Sequence, residues 1–204
     1  MSNPVTPGTP GRVVPSTVRF SSYLLYAAAA AQLIGAVVAL STAGTYREVV
    51  EEQFAGVDGG EAIAGVTAAS AIVGAVVGLL LGAGFVVLAI FNSRGKNASR
   101  ITTWAVGGLS ICCGGINLVS VLTGGTLGMN TSAPGQPSPE QLSAALEAAL
   151  PGWYFPVLVA ATLLGLLSLI GAVILLALPP SNEFFRKPPP AWEPPAPGYQ
   201  PYQG

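Results

Sequence analysis

The sequence predicts an all-α membrane protein: a four-transmembrane-helix bundle with both termini cytoplasmic and two short amphipathic helices on the outer face. Three observations lead there. Only 8% of the 204 residues are charged and the mean hydropathy is +0.61, whereas soluble domains carry roughly 25% charged residues. Four apolar runs are each long enough, at ~1.5 Å per residue, to cross a ~30 Å hydrocarbon core. The second and third runs are joined by Asn92–Arg100, which carries Arg94, Lys96 and Arg100. A short connector this basic belongs on the cytoplasmic side by the positive-inside rule.

Residues 1–19 carry Pro4, Pro7, Pro10 and Pro15 among small polar residues and read as a disordered cytoplasmic arm. The transmembrane domain covers residues 20–178, with spans over 20–41, 63–91, 101–124 and 154–178. The first span has an alternative reading as a signal peptide cleaved near Ser41-Thr42-Ala43. Its apolar part is longer than the usual signal core of roughly 7–15 residues, which favours a retained span.

Between the first two spans, Tyr46, Val49, Val50 and Phe54 fall at helical spacing, while Glu48, Glu51 and Glu52 mostly take the other side. That pattern predicts a short amphipathic helix at the membrane surface. Between the last two spans, Ser138-Pro139-Glu140-Gln141 offers an N-cap serine, a proline at the first helical position and a glutamine three residues after the cap. Leu142, Ala145, Leu146, Ala149 and Leu150 continue it as an apolar stripe that Pro151-Gly152 ends. Trp153 and Tyr154 follow, where an interfacial aromatic belt is expected.

Charge supports one topology. Arg12, Arg19, Arg94, Lys96, Arg100, Arg186 and Lys187 fall on the inner side and only Arg47 on the outer. Residues 179–204 contain nine prolines and read as a disordered cytoplasmic tail. From Pro188 onward the tail favours polyproline II, an extended form that docks into aromatic-lined grooves at low entropic cost. Trp192, Tyr199 and Tyr202 are its candidate anchors, and Pro194 with Pro197 forms a minimal P-x-x-P.

Small residues recur every four positions in the first two spans: Ala27, Ala31, Gly35 and Ala39 in one, Ser70, Gly74, Gly78 and Gly82 in the other. Such rows lie on one helix face and let backbones approach, which in lipid is a main source of helix association. They predict packing within the bundle, with homo-oligomerisation as the alternative. The third span is the least apolar, with Gly107, Gly108, Ser110, Gly114, Gly115 and Asn117, and is expected inside the bundle with Cys112 and Cys113 as small buried packing residues. Gln32, Ser70, Asn117 and Thr162 come from four different spans. Counted from the outer ends, they lie roughly 10–14 Å deep. That layer is either hydrogen-bond glue between helices or the lining of a small cavity.

The chain has no histidine, so the usual general base and the commonest zinc ligand are missing. The two cysteines are adjacent and lack the Cys-x-x-Cys spacing of a redox motif. No Asp, Glu, Lys or Arg lies in the apolar core of a span, which disfavours ion-coupled transport. No basic stripe suits nucleic acid. The expectations are no enzymatic activity and no cofactor or metal.

The Ala/Gly/Val-rich bundle, the six arginines against two lysines, the lack of histidine and a tail ending Pro-Gly-Tyr-Gln-Pro-Tyr-Gln-Gly carry a resemblance of layout and composition. The chain resembles small, uncharacterised four-helix membrane proteins of actinobacteria. That resemblance implies a plasma-membrane location and carries over no activity and no functional residue. The expected partners are the lipid bilayer, a cytoplasmic protein reached through the tail, and further copies of the chain. The leading expectation is a membrane scaffold or accessory protein; the alternative is a self-associating channel or transporter subunit using the polar layer.

Overall fold

The computed structural model of the chain describes residues 14–123 and 136–186. Outside them lie most of the N-terminal arm, the connector over residues 124–135, and the tail with Trp192, Pro194, Pro197, Tyr199 and Tyr202. The described residues form seven helices and no strand: α1 Ser16–Ser41, α2 Ala43–Gln53, α3 Gly60–Ser93, α4 Asn97–Leu122, α5 Pro139–Ala149, α6 Tyr154–Ala177 and α7 Pro179–Phe185. Four of them, α1, α3, α4 and α6, are long and apolar enough to cross a membrane.

α1 is the central element. It packs along α3 on one side and α6 on the other, its most extensive neighbours. Leu25, Ala28, Phe85, Ala89, Leu169 and Ala172 form the core where the three meet. Two buried serines of α1 tie its neighbours to it. Ser21 Oγ donates to Ala172 O of α6 at 3.3 Å. Ser22 Oγ shares its proton between Val18 O of its own helix, at 3.0 Å, and Ala89 O of α3, at 3.2 Å. Where no water competes, such bonds between helices add to close packing.

α4 docks mainly on α6, and only lightly on α3. Val173 and Leu166 of α6 pack against Gly107 and Gly114, where an added Cβ would lie 3.4 and 3.2 Å from those side chains. Its expected place inside the bundle is corrected: α4 is the least buried span, with 11% of its most apolar stretch buried against 22–28% for the others. Cys112 and Cys113 are correspondingly exposed rather than packed. The small residues Gly107 and Gly114 serve one narrow contact stripe with α6, Val106 and Ile111 pack against the central core, and Gly108, Leu109, Cys112, Cys113, Ile116 and Val119 are exposed.

The α3–α4 turn is held by a buried polar cluster. Asn92 Nδ2 donates to Thr103 Oγ1 at 3.0 Å, and Ser99 Oγ donates to Asn92 Oδ1 at 2.7 Å. Within the turn Gly95 has φ 71°, a left-handed conformation natural to glycine. Phe184 lies 3.1 Å from where a Gly95 Cβ would be.

That phenylalanine belongs to α7, and here the expected tail boundary is corrected. The chain does not become irregular after Leu178. Pro179 and Pro180 fit the first helical turn because their missing N–H groups have no partner to lose there. Phe184 and Phe185 pack with Val18 and Leu176. Buried Ser181 Oγ lies 2.8 Å from Leu175 O and 3.0 Å from Thr17 Oγ1. At the start of the chain, too, α1 begins at Ser16 and already buries Val18, within the stretch expected to be an arm.

The opposite end of the bundle is closed by α2 and α5. α5 carries the expected capping box: Ser138 Oγ accepts from Gln141 N at 3.2 Å and Gln141 Oε1 accepts from Ser138 N at 2.9 Å. Val38, Val49, Leu146, Leu150 and Tyr154 cluster where α2 and α5 lie over the ends of α1 and α6. Val50 and Phe54 pack on Ala64 of α3, while Glu48, Glu51 and Glu52 are exposed. The tight turn into α3 needs Gly60, whose Cβ would fall 2.2 Å from Phe54 O.

Candidate functional site

Beneath α2 and α5, a cavity of about 570 Å³ runs between α1, α3, α4 and α6, a size typical of small-molecule pockets. Its end nearer α7 is formed by Ala28, Phe85 and Leu169, and its end beneath α2 and α5 by Ala39, Tyr46, Leu146 and Tyr154. Small residues make the space. Ala31, Gly35 and Ala39 of the α1 row line it, together with Gly74 and Gly78 of the α3 row.

The two rows therefore do not zip together along their length. Gly82 alone of the α3 row approaches α1 closely, with a hypothetical Cβ 3.4 Å from Ala29 O and 3.4 Å from Gln32 Cβ. At Gly78 the nearest atom is Gln32 Oε1, 3.7 Å away, and at Gly74 nothing lies within 4 Å. Ser70, the start of that row, is exposed. On α1, Ala31 meets α6, its Cβ 3.5 Å from a Cβ added at Gly165, while Ala27 is half-buried. The helices touch in the half nearer α7 and part in the half nearer α2, and the gap between them is the cavity.

Three of the four polar-layer residues, Gln32, Asn117 and Thr162, line this cavity. Ser70 does not; its hydroxyl donates to Thr67 O of its own helix at 2.7 Å. Thr162 Oγ1 likewise donates to Leu158 O one turn earlier, at 2.8 Å, leaving its lone pairs as acceptors. The Gln32 and Asn117 amides make no hydrogen bond among the described residues. They do not tie helices together; they offer donors and acceptors to whatever fills the space.

Sequence reasoning missed Ser110, Tyr46 and Tyr154 as lining residues. Tyr46 and Tyr154 read as surface-helix and belt residues, and only the fold of α2 and α5 over the bundle turns them inward. Burial raises the Tyr46 pKa above its ordinary value, so the phenol is neutral at physiological pH. Among the described residues, no Asp, Glu, Lys or Arg lines the cavity. Gly74 and Asn117 are both exposed and α3 touches α4 only lightly, so among the described residues the cavity opens sideways between α3 and α4. Among the described residues no cluster of three or more His, Cys, Asp or Glu that could hold a metal ion occurs.

No family model, no curated protein and no solved structure matches the chain.

Proposed function

We propose that this chain is a non-enzymatic multi-pass protein of the plasma membrane, with both termini cytoplasmic, that binds an uncharged amphipathic molecule in its intramembrane cavity. The observation that carries the reading is the pair of amides, Gln32 on α1 and Asn117 on α4, facing one apolar-walled space without partners. An amide left without a partner in an apolar setting is costly, and a ligand carbonyl or hydroxyl offsets that cost. The lack of charge in the lining favours a neutral ligand, and the lateral opening favours entry from the bilayer.

The orientation rests on the distribution of charge. Among the described residues, Arg19, Arg94, Lys96, Arg100 and Arg186 stand at the α7 end with one acid, Glu183. The α2–α5 end has seven acids and one cation, Arg47. Under the positive-inside rule the α7 end is cytoplasmic and α2 and α5 are the outer amphipathic helices.

Native mass spectrometry of the full chain released from membranes in mild detergent tests the binding role. The expected result is a non-covalent small-molecule adduct on the wild type that is lost in the Gln32→Leu, Asn117→Leu double variant. A wild type that carries none, or a variant that keeps it, sinks the proposal.

A second role, as a scaffold, is favoured by the composition of the tail. Trp192, Tyr199 and Tyr202, set in a proline-rich segment with Pro194 and Pro197, are anchors a plain spacer does not need. Self-association through the α3 row has less support, since Gly82 and Gly78 face α1 rather than a second chain.

A further inference from the structure

The α7 end contains a second cavity, of about 630 Å³, whose wall includes Asn97, Arg100, Asn182, Glu183 and Arg186. Arg100 is only 9% exposed, and its position is set from three sides. One terminal nitrogen, Nη2, donates to Asn182 Oδ1 of α7. The guanidinium carbon lies 4.5 Å from the centre of the Trp104 ring and 5.5 Å from that of Phe185. Yet Nε is buried and has no hydrogen-bond partner among the described residues. An arginine is always charged and presents its donors as a rigid fork that matches paired oxygens of an anion. The guanidinium, held against these two rings in the cavity wall and with donors beyond the one Asn182 takes, suits such an anion.

The charges around the cavity narrow the choice. Arg100 and Arg186 against Glu183 leave one net positive charge in the wall, which suits a monoanion better than a dianion. Arg94 and Lys96, set over the Phe91 ring at 5.8 and 4.5 Å, add positive field at the same end. Asn97 and Arg100 also lie in the first turn of α4, where the helix dipole favours negative charge. Trp104 stands one turn further along α4, and tryptophan at a span's end marks the headgroup level of a bilayer. Arg100 is then at the depth of lipid phosphates.

From these observations we propose that this cavity binds the phosphodiester headgroup of an anionic phospholipid. Arg100 takes the phosphate oxygens, Asn97 assists, and Arg186 stands at the rim, while Glu183 turns away doubly charged phosphate monoesters. The inference rests on the chain spanning a bilayer and is independent of its orientation and of the ligand of the other cavity.

The test is titration of the purified full chain, in non-ionic detergent, with phosphatidylglycerol, phosphatidylcholine and glycerol phosphate, read by native mass spectrometry. Phosphatidylglycerol is expected to bind about tenfold more tightly than phosphatidylcholine, and Arg100→Gln to remove that preference. Arg47→Gln, at the other end, is expected to leave it intact. Because Arg100 also holds α7, a second readout uses the native chain with ¹⁵N-labelled arginine. Phosphatidylglycerol, but not phosphatidylcholine, should shift the Nε–H resonance that is absent in Arg100→Lys. Undiminished preference in a folded Arg100→Gln, or an unmoved resonance in the native chain, overturns the proposal. Binding of glycerol phosphate as tight as that of the lipid overturns its lipid part and assigns the site to a soluble phosphate ester.

Discussion

Gly74 and Gly82 stand two helical turns apart on one row of small residues, yet they do different things. Gly82 sits under α1, with Ala29 O and Gln32 Cβ both 3.4 Å from a hypothetical Cβ, whereas the same atom at Gly74 meets nothing within 4 Å. Valine at either position carries the same helix-propensity change, so the difference between the two variants isolates packing. Gly82→Val pushes its branched methyls against the α1 backbone and is expected to destabilise by about 1–3 kcal/mol. Gly74→Val extends into the cavity and is expected to stay within about 1 kcal/mol of the wild type. Equal losses in thermal unfolding would contradict the parting of α1 and α3. The spacing of four was legible in the sequence because it follows from helix geometry. Which turn of the row makes contact was not, because that depends on where two helices cross. The polar layer shows the same limit: counting residues from the span ends gives depth, so Gln32, Asn117 and Thr162 fall together, but Ser70 at similar depth points elsewhere and bonds its own helix.

At the scale of elements, what was legible depended on whether a local signal existed. The capping box of α5 is written in adjacent residues and appears where the sequence puts it. The placement of α4 was not legible, because small residues on a helix are compatible with a buried face and with a narrow contact stripe alike. α7 was hidden by composition: two prolines followed by a proline-rich tail read as one irregular segment, although prolines are well suited to a helix's first turn. The recognition of α7 changes how the tail must be dissected. Ending the chain after Leu178 removes Phe184 and Phe185 from Val18 and Leu176, and takes Asn182 from Arg100. A loss of roughly 3–6 kcal/mol is expected from the two phenylalanines alone, seen as a lower unfolding temperature in detergent. Ending the chain after Arg186 keeps these contacts and is expected to hold that temperature above the one reached by the longer deletion. A partner lost only with the longer deletion belongs to α7; one lost with both belongs to residues 187–204.

For the whole molecule, the decisive feature is the segregation of charge along the bundle axis. The α7 end carries five described cations to one acid, and the α2–α5 end one cation to seven acids. This was legible from the sequence because it needs only the order of spans and connectors, not their packing. It makes the orientation testable with single cysteines in a Cys112→Ala, Cys113→Ala background. Glu48 and Lys96 are both exposed, one at each end. A membrane-impermeant thiol reagent is expected to label Glu48→Cys on intact cells and Lys96→Cys only after permeabilisation. The reverse pattern would put the cavity's α2–α5 cap in the cytoplasm and remove the tail from any cytoplasmic partner. If the cations set the orientation, neutralising Arg94, Lys96 and Arg186 while converting Glu51 and Glu52 to lysine should yield a mixed population, with each probe labelled in part on intact cells. Acids alone contribute little to this choice, so removing the two glutamates without touching the arginines and lysine should leave the labelling pattern as it was. A pattern that moves with the acids alone would instead make the acidic α2–α5 end the determinant of topology.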